Sequence, residues 1–238
     1  MAFNPFSLFP SPGGGGFLAG AIQQANLQLE RAVLYDMTKN ADLLNADRFY
    51  FADLTPLNSP QVTGGAIFAL DEDTHTLIAI VAATGLEADR THVNHIHGFA
   101  NGNNATEATL AADADGDGFV EGAEGAPFYG PVLLDLTTST APGGDIWQTT
   151  TVQLPKQGLG ANPQLDLREF NIHGMTVPDG PGAGTPGEVN GTGGYKTGLV
   201  VAGAEIEHAD SFGELMGFLI VSGFAGIASA HANDGLVV

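Results

Sequence analysis

The chain has no cysteine and few cations: its 238 residues carry 7 Lys+Arg against 27 Asp+Glu, a formal net charge of −20 at pH 7. The first absence removes disulfides, thiolate metal sites and cysteine nucleophiles. Any transition-metal site has to use histidine and carboxylate, and stability outside a cell has to come from packing and bound metal. The second absence removes a basic patch for phosphate backbones and repels anionic lipid, which excludes nucleic acid and a membrane surface as expected partners. So acidic a surface suits salt-rich or calcium-rich surroundings, where cations screen its self-repulsion. A basic leader is also missing. MAFNPFSLFPSPGGGGFLAGAI has no Lys or Arg before Arg31, and Pro and Gly interrupt its apolar residues, unlike a cleavable secretory signal. The expected location is extracellular or cell-surface by a leaderless export route, with an intracellular location as the alternative.

What is present is 43% hydrophobic residue content, enough for a sizeable core in a chain of this length. Residues 1–17 form a Gly/Pro-rich arm. Within 18–47, apolar residues at Leu18, Ile22, Ala25, Leu29, Val33, Met37, Ala41 and Leu44 recur at helical spacing and predict an amphipathic helix to about residue 46. Near the other end, Ser211 followed by Glu214 fits a capping box and predicts an apolar helix from about 212 to 230, within a terminal segment 209–238. Its uncharged run, Leu215 to Ala230, falls short of the ~20 residues a membrane span needs. Burial against the amino-terminal helix or a second copy of the chain is expected instead, hence self-association through the terminal helices.

Between these ends the periodicity changes. Short β-branched and aromatic runs, separated by Gly, Pro, Asn and Asp, predict strands at 48–54, 62–70, 76–84, 91–98, 131–136, 147–154, 167–174 and 197–206. With no repeated intervening helix they predict a mainly β domain over 48–208, an antiparallel sandwich or barrel. Two long loops stand out, 99–130 and 175–196. The second, PDGPGAGTPGEVNGTGG, lacks the lysine and the strand-to-helix setting of a phosphate loop and reads as a surface loop.

The first long loop contains Asp113-Ala-Asp115-Gly-Asp117-Gly118-Phe119-Val120-Glu121-Gly-Ala-Glu124. Carboxylates stand at positions one, three, five, nine and twelve, glycine at six, a backbone oxygen from Phe119 at seven and an aliphatic residue at eight, the pattern of a calcium loop. Ca²⁺ takes six to eight oxygens; alternate acidic residues converge on one point, Gly118 allows the sharp turn, and Glu124 can close the shell with both oxygens. The flanks, NGNNATEATLAA and GAPFYG, are poor helix formers, so a calcium loop grafted into a β connection is expected. The plain alternative is a solvated acidic turn.

In Thr91-His92-Val93-Asn94-His95-Ile96-His97-Gly98, His95 and His97 share one face of a strand and Ile96 the other. In Leu167-Arg-Glu-Phe170-Asn171-Ile172-His173-Gly174, the apolar Phe170 and Ile172 put His173 opposite the core. The two strands can present three imidazoles to one metal; hydrogen bonding on a sheet face is the alternative. Lone His75, His208 and His231 carry no functional claim.

The HIHG strand motif His95 to Gly98, the Asn171-Ile172-His173 motif and the turn Gly187-Glu188-Val189-Asn190-Gly191 resemble the CHRD (chordin-type) domain. The same segments are similar to copper/zinc superoxide dismutase. The resemblance covers roughly residues 50–206 and implies a Greek-key β-sandwich, to which the terminal helices read from periodicity are additions it does not account for. The dismutase resemblance implies copper ligands at His95, His97 and His173; His92, close by in the same strand motif, is a candidate fourth ligand apart from that resemblance. Against the dismutase, the cysteine pair is absent, the calcium loop occupies the region of the bridging histidine and zinc ligands, and no arginine follows the glycine-rich loop, Lys196 being the nearest cation. The negative excess also opposes steering of an anion. The expected function is a secreted or cell-surface, calcium-binding structural, adhesive or matrix-assembly protein, more a binding protein than an enzyme; the alternative is a copper-dependent oxidoreductase.

Overall fold

The computed structural model describes residues 46–211 and, beyond them, 214, 215, 217 and 218. The helix expected over 18–46 lies outside the described residues except for Ala46, and so does most of the one expected over 212–230, of which Glu214, Leu215, Gly217 and Phe218 are described as helical. The expected cap is partly realised: the Glu214 N–H donates to Ser211 Oγ (3.1 Å), while the Glu214 carboxylate accepts from Asp210 N–H (2.8 Å).

All eight expected strand regions are extended, with three further short strands. In chain order they are β1 Arg48–Asp53, β2 Thr55–Pro56, β3 Thr63–Asp71, β4 Thr76–Thr84, β5 Thr91–His97, β6 Val132–Asp135, β7 Ser139–Thr140, β8 Ile146–Gln153, β9 Glu169–Val177, β10 Gly194–Glu205 and β11 Glu207–Ala209. They make two antiparallel sheets. The first has the order β11-β1-β3-β4-β8; the second has β2-β10-β9-β5-β6, with β7 also pairing β5.

The two inner faces share one core, in which Phe68 of β3 meets Phe170 of β9 edge to face at 5.9 Å between ring centroids. Burying such apolar area contributes roughly 25 cal/mol per Å². The β3–β4 hairpin runs in continuous register from Thr63↔Thr84 to Asp71↔Thr76. Its turn is fixed by the Thr74 N–H, which donates to Asp71 Oδ1 (2.8 Å) and holds that carboxyl below its ordinary range.

Strands β3 and β4 are buried on both faces, which is why they read as near-continuous apolar runs. The outer face of the first sheet carries a second cluster, Ile67, Ala69, Ile78, Ile80 and Ala82 with Ala209, Leu215 and Phe218; Phe218 stacks on Phe51 at 4.6 Å. The start of the carboxyl-terminal helix therefore lies on the chain's own sheet. Among the described residues, no helix is long and apolar enough to cross a membrane.

The outer face of the second sheet is covered too. The connection 99–130 is closed at its ends by Gly98 N–H to Pro131 O (3.1 Å) and returns to the second sheet's side through Ala105 N–H to Leu167 O (3.1 Å); Glu169 and Asn171 on that face are buried. Phe218→Ala should lower unfolding free energy by about 3 kcal/mol, the lower end for a buried phenylalanine, read from the urea midpoint. A loss under about 0.5 kcal/mol, the range of surface substitutions, would mean the helix contributes nothing to the sheet it touches.

Candidate metal sites

The pairing of β5 with β9 sets Val93↔His173, His95↔Asn171, Ile96↔Phe170 and His97↔Glu169 opposite one another. Ile96, Phe170 and Ile172 enter the core. His95, His97 and His173 therefore emerge together on the outer face, one ring nitrogen of each lying within 4.8 Å of the others. Each ring is oriented by an acceptor on its far side: His173 Nδ1 by Gly198 O (2.7 Å), His97 Nδ1 by Gly130 O (3.0 Å) and His95 Nε2 by Asp135 Oδ1 (3.2 Å). A carbonyl or carboxylate oxygen requires the N–H on the nitrogen facing it, so the neutral rings turn lone pairs on His95 Nδ1, His97 Nε2 and His173 Nε2 toward one another.

Two observations fit this arrangement to a cation. His95 Nδ1 and His173 Nε2 lie 3.1 Å apart with both protons committed elsewhere, and His97 Nε2 is buried without a hydrogen-bond partner among the described residues. Burial keeps the rings neutral: it pushes His97 down to about 4 and His173 to about 3, and lowers His95 against the opposing pull of Asp135. Neutral imidazole is the form that ligates metal. Three neutral imidazoles of this spacing suit Cu²⁺ or Zn²⁺.

His92 is not part of this cluster. It lies on the opposite face of β5, its Nδ1 3.0 Å from His173 O and its Nε2 3.1 Å from Glu87 O, so strand alternation and both nitrogens' backbone contacts withdraw it as a fourth ligand. Gly98, which ends the HIHG motif, leaves room for the stem of buried Arg168, whose guanidinium donates to Phe99 O (2.9 Å) and Pro163 O (3.2 Å).

The acidic loop is wound around its own carboxylates. Asp113 accepts from the N–H groups of Gly116 (2.7 Å), Asp117 (3.2 Å) and Gly118 (2.8 Å); Asp117 accepts from Phe119 N–H (2.8 Å). Gly118 has φ +94°, the left-handed backbone the sixth position demands. The carboxylates form two overlapping groups, Asp113 with Asp115 and Glu124, and Asp115 with Asp117 and Glu121. Asp117 Oδ2 is buried and unpartnered among the described residues, and burial, together with Asp115, Glu121 and Asp113, pushes its carboxyl up. A divalent cation would relieve that crowding. The ring of Phe119 packs against Val177, Val189 and Leu199.

One expectation about this loop is corrected. The flank GAPFYG is helical: α1, Gly122–Tyr129, starts inside the loop with Glu121 as N-cap and Glu124 as the third residue of a capping box. Low propensity is overridden because Glu124 accepts from Glu121 N–H (2.9 Å) and Ala114 N–H (2.7 Å), and because Gly125 makes room for the Tyr129 ring. The upstream flank holds only a one-turn 3₁₀ segment, Leu110–Ala112. The loop is thus half of a helix–loop–helix unit.

The partner half is replaced by other parts of the fold. Asn58 clamps Val120, its Oδ1 accepting from Val120 N–H and its Nδ2 donating to Val120 O and Val200 O, each at 2.8 Å. The Gly/Pro-rich loop closes over the other side: Val189 N–H donates to buried Glu121 (2.5 Å) and Gly122 N–H to Glu188 (3.2 Å), around a cleft of about 300 Å³. That loop is packed against the acidic one rather than lying free on the surface.

The chain matches no protein-family model and no curated protein. The roles of Asn58, Tyr129, Gly130, Asp135, Arg168 and Gly198 had no signature in the sequence, since an orienting carbonyl or a clamping amide can come from any residue type; Glu188 stood only in the glycine-glutamate turn.

Beside the histidines, Glu169 is 1% exposed, and burial, reinforced by Glu107 and Glu205, pushes its carboxyl up to about 9. A raised folded value means stability is complete below the ordinary 4.5 and falls as pH rises through about 9. Glu169→Gln should remove that loss, with melting temperatures matching wild type at pH 5 and exceeding it by several degrees at pH 9. Parallel profiles would mean that Glu169 is not held protonated.

Proposed function

We propose that this protein is a calcium-stabilised β-sandwich of Greek-key, CHRD-like type with a structural, adhesive or matrix-assembly role at the cell surface or outside the cell. The observation that carries the reading is the acidic loop. Five carboxylates are held at calcium-loop spacing, Gly118 takes the required turn, and the site is clamped to the β2–β3 connection through Asn58 and to the β9–β10 connection through Glu121. Two antiparallel sheets sharing a core support the sandwich. The net charge of −20 supports a calcium-rich setting outside the cell, where cations screen its self-repulsion. Self-association through the terminal helices stays part of the proposal, carried by the uncharged run Leu215 to Ala230, though Leu215 and Phe218 already cover the chain's own sheet. A monomer by light scattering would remove it.

Calcium binding only the folded state adds RT ln(1 + [L]/Kd), about 2.7 kcal/mol at a hundredfold excess over Kd. For a domain of this size that raises the melting temperature by roughly 5–11 °C. Calorimetry should record this shift in the full chain, reversed by chelation and lost in Glu124→Gln. A melting temperature indifferent to Ca²⁺ would sink the reading.

A second reading, a copper-dependent oxidoreductase, is favoured by one observation: three imidazole lone pairs converge with their tautomers fixed from behind. Bound copper would supply one-electron chemistry, and His95, whose side chain is 18% exposed, would lie on the approach from solvent. Cu²⁺ should bind ahead of Zn²⁺ in the Irving–Williams order, and His173→Ala should weaken that binding at least tenfold. Dismutase turnover by the copper-loaded protein, abolished in His173→Ala, would promote this reading over the first; binding without turnover would leave a metal-binding sandwich.

A further inference from the structure

The acidic loop and the histidine cluster are connected by structural threads that end on ligand-orienting groups. The first is α1. It begins on Glu121 and Glu124, and at its far end Gly130 O receives His97 Nδ1 while the Tyr129 ring meets the His97 ring edge-on at 4.9 Å. The Tyr129 hydroxyl donates to Gly122 O (3.4 Å), tying the last residue of the helix to its first. Eight residues at ~1.5 Å each span about 12 Å, so the helix is a short rod with a calcium-loop end and a histidine end.

The second thread is Glu188. Its Oε2 accepts from Gly122 N–H at the start of α1, and its Oε1 packs on Gly198, whose carbonyl receives His173 Nδ1. Asn58 adds a parallel tie, since it joins Val120 to Val200, the cross-strand neighbour of His173. The third ligand differs. His95 is oriented by Asp135, which is held by Gln157 and has no bond to the loop among the described residues.

The geometry points to a coupled pair of sites: Ca²⁺ in the Asp113–Glu124 loop raises the affinity of the His95–His97–His173 cluster for a transition-metal ion by fixing the carbonyls of Gly130 and Gly198, with Glu188 as a positioning residue. This inference rests on the calcium-loop and three-histidine readings above. Its physical basis is differential stability. Without the cation the crowded carboxylates of Asp113, Asp115, Asp117, Glu121 and Glu124 repel one another at the point where α1 starts, and the rod and the overlying loop lose their anchor. With it, two of three imidazoles are held in ligating orientation before the metal arrives. An effector acts only through such a difference between states, and orienting partners behind metal-ligating histidines ordinarily change affinity by about 10–100-fold.

The test uses the full chain and Cu²⁺ alone as probe, titrated against a chromophoric competitor with and without saturating Ca²⁺. The expected result is a Cu²⁺ affinity at least about fivefold higher with calcium, the lower bound of typical coupling, and by reciprocity a Ca²⁺ affinity higher by the same factor with copper. Glu188→Ala should retain both ions but shrink the ratio, and Glu188→Gln, which keeps an acceptor for Gly122 N–H, should restore it. In the metal-free protein, Ca²⁺ should shift the ring resonances of His97 and His173 more than those of His95, which senses the change only through its neighbours. If Cu²⁺ binds in a His173-dependent way with an affinity unchanged by Ca²⁺, while Ca²⁺ still raises the melting temperature, the coupling is wrong and both site readings stand. If His173→Ala leaves Cu²⁺ binding unchanged, or Ca²⁺ leaves the melting temperature unchanged, the reading beneath it fails and the coupling falls with it.

Discussion

The register of β5 against β9 is the constraint from which the rest follows. Ile96 opposite Phe170 fills the core between the sheets, and the same pleat sends His95, His97, Asn171, His173 and Glu169 the other way. Because side chains alternate with a period of two, a slip of one residue would exchange these sets, putting imidazoles and a carboxyl into the core and phenylalanine among the histidines. Core packing therefore specifies the site: three histidines distant in sequence meet because their strand neighbours are apolar. Burial on this scale is what keeps the rings neutral and their lone pairs available.

That logic explains what could be read without coordinates. The strands were legible because β-branched and aromatic runs bounded by Gly, Pro and Asn mark a pleated surface. The sharing of one face by His95 and His97, and the outward turn of His173, followed from the alternation of Ile96, Phe170 and Ile172 with polar residues. The convergence of the acidic loop's carboxylates was legible because Asp113, Asp115, Asp117, Glu121 and Glu124 stand at fixed spacing around Gly118. Helix α1 was not, since Gly122, Gly125 and Pro127 argue against a helix and only the capping by Glu121 and Glu124, with the packing of Tyr129, makes one. His92 was misplaced for a related reason: motif proximity suggested a ligand, whereas its parity along the strand puts it on the other face. The orienting carbonyls were invisible because a backbone oxygen has no residue identity.

The acidic loop also shows how a loop followed by a single helix can be held by the rest of the fold. Here the Asn58 side-chain amide supplies both a donor and an acceptor to Val120 and reaches Val200 with the same nitrogen. An amide can do this because it presents one acceptor and two donors in a plane, as a peptide group does.

Strand β1 lies between β3, its near neighbour along the chain, and β11, which begins at Glu207. During synthesis the first sheet can assemble up to β1, but that strand keeps a bare hydrogen-bonding edge until Glu207–Ala209 has left the ribosome, and the apolar outer cluster waits longer still for Leu215 and Phe218. A nascent or truncated chain therefore presents both an open edge and an apolar face, the two features that recruit other chains into sheets. Pairing of β1 with Glu207–Ala209 therefore comes late in synthesis.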